Sequence, residues 1–281
     1  MAPSVSRDVE ELAAQFGLRP TRLLQAGPGR STVQVRDDDG SLFVLKTATD
    51  PGALAGDVDA NLTLSAAGLP VPEIIDHRVG PPSVLLLRWI EGDPISSASS
   101  VRTQREVGRL LRAVHTLPGA PPFSGQPTIA AWICAWTAEV AAWWPSVGAG
   151  DAEVQRLLGW LDQLEPVLAA REGRLTLFDG RAEHFLVRDG RVVGLIDLHD
   201  VGPGDPAMDL AVIGLTDDRL IREVLNGYGA DHEEDPSLRS LIPFYLLLRR
   251  LAGAEWQLRN GSSSVGTRLL QLATRQAPKV P

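Results

Sequence analysis

The sequence predicts an α+β chain in two lobes: a small antiparallel-sheet lobe over residues 1–91 and a mainly helical lobe over residues 92–281. Three observations predict it. Short runs of β-branched and apolar residues separated by hairpin turns fill the first third, and long runs of helical periodicity fill the remainder. Between them lies EGDPISSASS (91–100), a cluster of turn formers. With 44% apolar and 22% charged side chains in 281 residues, the chain is of ordinary globular composition, which excludes disordered and fibrous classes.

The elements follow in order. A helix is expected at about residues 6–16, with Val9, Leu12, Ala13 and Phe16 on one face. Strands follow at TRLLQAG, STVQVRD and SLFVLKTA, the last two joined by the turn DDDG (37–40). A second helix spans about 54–67 and stops at GLPVP, after which EIIDHRV and VLLLRWI resume the strand pattern. Beyond the connector, amphipathic helices occupy about 102–117, 127–144 and 152–170. The strand block LTLFDGRAEHFLVRDGRVVGLID then interrupts, turning at Asp189-Gly190, before helices resume near 206. No internal repeat stands out.

Net charge is −8, from 27 bases and 35 acids, which gives no electrostatic reason to expect nucleic acid or an anionic membrane as partner and favours a cationic small molecule. No apolar run approaches the roughly 20 residues of a spanning helix. The opening MAPSVSRDVEEL carries acids where a signal peptide would carry an apolar stretch, so a cytoplasmic chain is expected. The single cysteine, Cys134, can form no internal disulfide and fits a reducing compartment. Only Lys46 and Lys279 are lysine, so 25 of the 27 bases are arginine, and Lys46 is the one lysine inside the expected folded region.

Lys46 sits mid-strand in SLFVLKTA. It is either a solvated strand residue or an inward ammonium that needs an anionic partner, for which Asp57 or Asp59 on the next helix is within reach. QAGPGRST (25–32) is a glycine-bearing turn between strands, readable as a plain hairpin tip or as a loop whose N–H groups approach phosphates. Asp179 and Asp197 flank the later hairpin, with His184 between them. Such carboxylates either cap turns or serve to position a hydroxyl and hold a hard divalent cation.

In this order the motifs resemble the aminoglycoside phosphotransferase family, the antibiotic kinases of protein-kinase-like fold, over nearly the whole chain. The motifs are GPGRST, FVLKTA, GLPVP, the connector LLLRWIEGDP, LFDGRAEHFLV, GLIDLHD and GDPAMDLA, the last being the most specific. The resemblance implies ATP and Mg2+ as cofactors and an alcohol as acceptor. It implies that Asp179 orients the acceptor hydroxyl and takes its proton, and that Asp197 ligates Mg2+. Lys46 would bind the α- and β-phosphates, with Asp57 as its helix partner and Ser31 and its neighbours covering the phosphates. Backbone groups of Arg88 and Ile90 would hold adenine. Asp205 and Asp209 would be structural, fixing the loop after the metal site.

Three positions depart from the family pattern: Leu177 stands for the loop histidine, His184 for the metal-binding asparagine, and Asp57 for a glutamate. Imidazole suits Mg2+ poorly, so His184 is expected to hydrogen-bond a phosphate or a metal-bound water. His199 and Asp200 follow Asp197 closely, with a metal or substrate role and a turn role both open. His115 is expected to be structural. Trp132, Trp136, Trp143 and Trp144 are expected in the core, with one or two walling the acceptor site. Residues 217–235 hold seven acids against two arginines, either a solvated acidic helix and loop or, as the resemblance implies, part of an acid-lined acceptor site, with Asp231, Glu233 and Glu234, and outside the stretch Asp200 and Glu255, as candidate contacts to a polycationic substrate.

The expected function is antibiotic O-phosphorylation, on an aminoglycoside or a capreomycin/viomycin-type basic cyclic peptide. A metabolic kinase of choline, an amino alcohol or a sugar, and an inactive nucleotide-binding module, are the alternatives.

Overall fold

In a computed structural model, residues 5–117, 128–229 and 235–276 are described. The chain forms two compact units, Met1–Pro94 with His184–Val201, and Ile95–Glu183 with Gly202–Pro281. The first is built on a five-stranded antiparallel sheet, the second on helices.

In the first unit, α1 (Arg7–Ala14) places Asp8 and Glu10 in its first turn, where they oppose the positive end of the helix dipole. It leads into β1 (Arg19–Gly27), β2 (Arg30–Arg36) and β3 (Leu42–Ala48). Helix α2 (Ala55–Ala66) follows, then β4 (Ile74–Arg78) and β5 (Ser83–Arg88), in sheet order β1-β2-β3-β5-β4. The period-two alternation of β3 decides what each face does. Phe43 and Leu45 join Val33, Val35, Val84 and Leu86 in a core closed by Val9 and Ala13 of α1. Val44, Lys46 and Ala48 point to the other face, where Leu54 and Val58 pack at the start of α2. Lys46 is therefore on the side of the sheet that α2 occupies.

Two residues of the turn-rich connector form a short strand, β6 (Asp93–Pro94). The second unit opens with α3 (Val101–His115), whose N-cap Ser100 accepts from the Thr103 N–H. Next come α4 (Ile129–Trp143), α5 (Asp151–Ala169) and β7 (Arg174–Thr176). The chain then returns to the first unit as the hairpin of β8 (Phe185–Arg188) and β9 (Arg191–Leu195), with β6 paired on the outer edge of β8. Asp189 and Gly190 both have positive φ, 52° and 72°, as a tight two-residue hairpin turn requires. Strand β10 (Gly202–Gly204) pairs with β7 in the second unit. Four helices complete that unit: α6 (Pro206–Val212), α7 (Arg219–Tyr228), α8 (Leu238–Asn260) and α9 (Ser263–Gln276).

The sequence reading places neither β6 nor β10. Strands of two or three residues containing Gly or Pro carry the composition of a turn, and only their partners β8 and β7 make them strands. No described helix is long and apolar enough to cross a membrane.

Candidate active site

The polar centre of the sheet unit is built around Lys46. Its Nζ donates to Asp57 Oδ1 at 2.7 Å and to Asp197 Oδ1 at 3.0 Å. Asp57 lies on the buried stripe of α2 with Asn61 and Leu64, four and seven residues further on, while Asp59 is exposed. Burial alone would lower the Lys46 pKa, but the Asp197 and Asp57 carboxylates outweigh it and hold the ammonium above its ordinary value. The two acids keep a charged donor fixed in a mostly buried position.

Asp197 follows β9 with φ 60°, one of three non-glycine residues at positive φ among those described. Such backbone is costly and persists where the surroundings over-determine it. Here they do: Leu195 N–H donates to the Pro70 carbonyl and Ile196 N–H to the His184 carbonyl. His184 is buried, its Nε2 3.7 Å from Asp197 Oδ2. His199 is half-exposed and reaches back to α2, its Nδ1 2.9 Å from Asp57 Oδ2, while its Nε2 lies 2.9 Å from a guanidinium nitrogen of Arg30. Asp200 is exposed.

The glycine-bearing turn is a hairpin tip, with Gly27 paired to Arg30 and Pro28-Gly29 between them. Gly29 has φ 67°, and a Cβ there would stand 2.6 Å from Thr49 Oγ1, so glycine is required on both counts. Ser31 Oγ is 2.8 Å from Thr47 Oγ1 on the facing strand. At the end of β5, Arg88 N–H donates to the Glu73 carbonyl and its side chain pairs with Glu73 at 2.6 Å. Trp89 N–H is committed to Leu42, and Ile90 packs near Gly194 of β9.

The helical unit holds Asp179 on a tight loop. Asp179 N–H donates to the Leu177 carbonyl across Phe178, which is at φ 57°, and Arg181 N–H donates to the Asp179 carbonyl. Asp209 of α6 braces this loop from beneath, accepting from Leu177 N–H at 2.6 Å and bonding His115 Nε2 at 2.9 Å. His115 Nδ1 in turn meets the Tyr228 hydroxyl at 3.0 Å. Asp205, fully buried, caps α6 at the Ala207 N–H and is gripped by Arg171 and the Tyr245 hydroxyl. The GDPAMDLA motif thus acts as a scaffold for the loop carrying Asp179.

Two guanidiniums contact the Asp179 carboxylate: Arg181 at 2.8 Å from Oδ2 and Arg249 of α8 at 3.3 Å from Oδ1. Sequence reasoning missed both. Arg181 could have been weighed for its place two residues beyond Asp179, whereas nothing in the α8 pattern marks Arg249. Arg249 also lies over the Trp136 ring at 5.9 Å, and Trp136 stacks on Trp132, whose ring meets the edge of Phe178. Trp143 and Trp144 are buried, while Trp132 and Trp136 are only partly so.

The acidic stretch is largely neutralised where it is described. Asp217 pairs with Arg219, Glu223 with Arg105 and Arg222, and Asp235 with Arg171. Glu255 pairs with Arg259 at 2.8 Å along α8. Asp231, Glu233 and Glu234 lie outside the described residues.

A sheet unit carrying an acid-held lysine, and a helical unit carrying a braced loop aspartate, define the class as a kinase-like phosphotransferase. The model of the phosphotransferase enzyme family (APH) matches residues 21–241, and the chain belongs to that family. Its fold is the protein-kinase-like fold of solved antibiotic kinases. Aminoglycoside phosphotransferase APH(4)-Ia, as a thermostable mutant in ternary complex with ADP and hygromycin B, superposes with TM-score 0.71 at 17% identity, covering 96% of this chain and 98% of that one. Spectinomycin phosphotransferase APH(9)-Ia, in complex with ADP and spectinomycin, gives 0.69 at 14% identity over 98% of each chain. The macrolide 2'-phosphotransferase MphH from Brachybacterium faecium gives 0.65 at 19% identity, covering 98% of this chain and 99% of that one. No curated protein matches.

Proposed function

We propose that this phosphotransferase moves the γ-phosphoryl group of ATP to a hydroxyl of a cationic antibiotic, an aminoglycoside or a basic cyclic peptide of the capreomycin/viomycin type. The observation that carries the phosphoryl-transfer reading is Lys46 held between Asp57 and Asp197 on the α2 side of the sheet. An ammonium so placed serves the α- and β-phosphates, beneath a glycine turn whose N–H groups and Ser31 cover them. Arg88 N–H is already bonded to Glu73, so adenine would use the Arg88 carbonyl and the Ile90 N–H. Asp179 would orient the acceptor hydroxyl and take its proton, its carboxylate kept in place by Arg181 and Arg249.

The donor set suits Mg2+: Asp197 offers a hard carboxylate, and phosphate oxygens and water would complete an oxygen shell. Bound there, the ion would supply neutralisation of phosphate charge. The buried imidazole of His184 is the wrong ligand type for Mg2+ and suits a hydrogen bond to a phosphate or to metal-bound water. The net charge of −8 supports a cationic acceptor.

The ion pairing of Asp217, Glu223, Asp235 and Glu255 favours a second reading, a metabolic kinase whose acceptor is an uncharged or singly charged alcohol. The deciding experiment incubates the protein with ATP and Mg2+ against aminoglycosides, capreomycin, viomycin, choline and simple sugars. Mass spectrometry then looks for a phosphoryl adduct. An adduct on an antibiotic, absent with Asp179→Asn, is the expected result. An adduct confined to choline or a sugar would move the chain to the second reading. ATP binding without transfer to any acceptor would leave an inactive nucleotide-binding module.

A further inference from the structure

His199 is wired at both ends, and the chemistry of its partners assigns its protons. Asp57 Oδ2, 2.9 Å from Nδ1, is a carboxylate oxygen and can only accept, so Nδ1 carries the hydrogen. The Arg30 guanidinium, 2.9 Å from Nε2, can only donate, so Nε2 is bare. The ring is a relay between the glycine turn and the lysine-acid pair. Its effect on Asp57 is directional. One carboxylate oxygen faces Lys46 at 2.7 Å and the other is held by His199, so the side chain cannot swing about its Cβ–Cγ bond.

Arg30 is the other half of the observation. It is exposed, it immediately follows Pro28-Gly29 at the hairpin tip, and among the described residues no carboxylate pairs with it. Its remaining contact is a 3.4 Å bond to the Ala53 carbonyl. A guanidinium pinned by a carboxylate would have to break a charge pair to meet an anion. One held by an imidazole nitrogen and a carbonyl has no such pair to break.

We propose that Arg30 is a phosphate-binding residue of this enzyme and that His199 is a positioning residue that parks it beside the lysine-acid pair before nucleotide enters. The proposal rests on the nucleotide-dependent reading above. When nucleotide binds, the guanidinium exchanges the imidazole nitrogen for a phosphate oxygen, and the His199 bond to Asp57 keeps Lys46 aimed during the exchange.

The test is calorimetric titration with AMP-PNP in Mg2+ and, separately, with adenosine, which lacks phosphate. Arg30→Met should weaken AMP-PNP on the order of tenfold, the size of one charge-assisted hydrogen bond, and leave adenosine unchanged. His199→Asn keeps a donor at the Nδ1 position, but its carbonyl oxygen falls short of the Nε2 position that faces Arg30. It should lose less affinity than His199→Phe, which lacks both. Because Arg30 is exposed, its replacement leaves the fold intact and remains decisive if His199→Phe fails to fold. Wild-type affinity for AMP-PNP in Arg30→Met, or an equal loss for adenosine, would overturn the proposal while the nucleotide reading stands. Wild-type protein that binds neither ligand would remove that reading and the proposal with it.

Discussion

Lys46 and Asp179, to which the proposed mechanism gives charge and position, stand in opposite electrostatic surroundings. Lys46 touches two carboxylates and Asp179 two guanidiniums, so each is held by opposite charge. Replacing Lys46 with Met removes the ammonium between two acids and leaves Asp57 buried with one partner fewer. Nucleotide affinity should fall by at least tenfold and the melting temperature should drop, since an uncompensated buried carboxylate is strongly destabilising. Calorimetry and thermal denaturation of Lys46→Met measure the two effects. An unchanged melting temperature would mean that Asp57 and Asp197 do not need the lysine for stability.

Elements contribute rigidity, and α6 does so most directly. Its N-cap Asp205 is fully buried and bonded to Arg171, Tyr245 and the Ala207 N–H, and its Asp209 carries the loop of Asp179. Asp205→Ala should therefore destabilise by about 3 kcal/mol or more, as breaking a buried ion pair does, and lower turnover through the loop. Urea unfolding together with turnover at saturating substrate checks it, and a loss below about 1 kcal/mol would contradict the role. Helices α3 and α7 meet at two glycines. A Cβ at Gly108 would lie 2.0 Å from the Val224 carbonyl oxygen, and one at Gly227 would lie 2.0 Å from that of Arg105. Gly108→Ala must push the helices apart, and a cost above about 2 kcal/mol in the same unfolding assay is expected despite the better helix propensity of alanine.

At the scale of the whole molecule, buried charge sets a pH window for stability. The Lys46 pKa is raised above 10.5 by its carboxylates against the effect of burial, so its contribution is complete below that value and is lost as pH rises through the folded-state pKa. Tyr228 adds to the alkaline limit, because burial pushes its phenol up to about 12 and the unfolded chain releases that proton first. On the acid side, burial would raise the Asp235 carboxyl, but Ser237 and Arg171 hold it below 3.8, so its stabilisation fades as pH falls through and below that value. Denaturation midpoints should be level between these limits and fall on both sides. Persistence of the midpoint to pH 12 would show that neither Lys46 nor Tyr228 is coupled to folding.

The sequence by itself determined the α+β class, the order of the larger elements and the motifs of the phosphotransferase family. These are local properties: alternation, helical periodicity and turn residues act over a few positions, and GDPAMDLA or the Asp189-Gly190 turn needs no distant partner to be read. For Lys46 the family resemblance pointed to Asp57, and the tertiary structure supplied the reason, since the helical phase of α2 buries Asp57 and exposes Asp59. It also brought Arg249 to Asp179 across 70 positions and Arg30 to His199 across 169, contacts that no spacing rule encodes. It turned much of the acidic stretch into ion pairs, because whether a carboxylate faces a substrate or an arginine depends on what the fold puts opposite it. Short-range patterns are written in the chain, while the partners of a charged group are set by the packing of elements far apart in it.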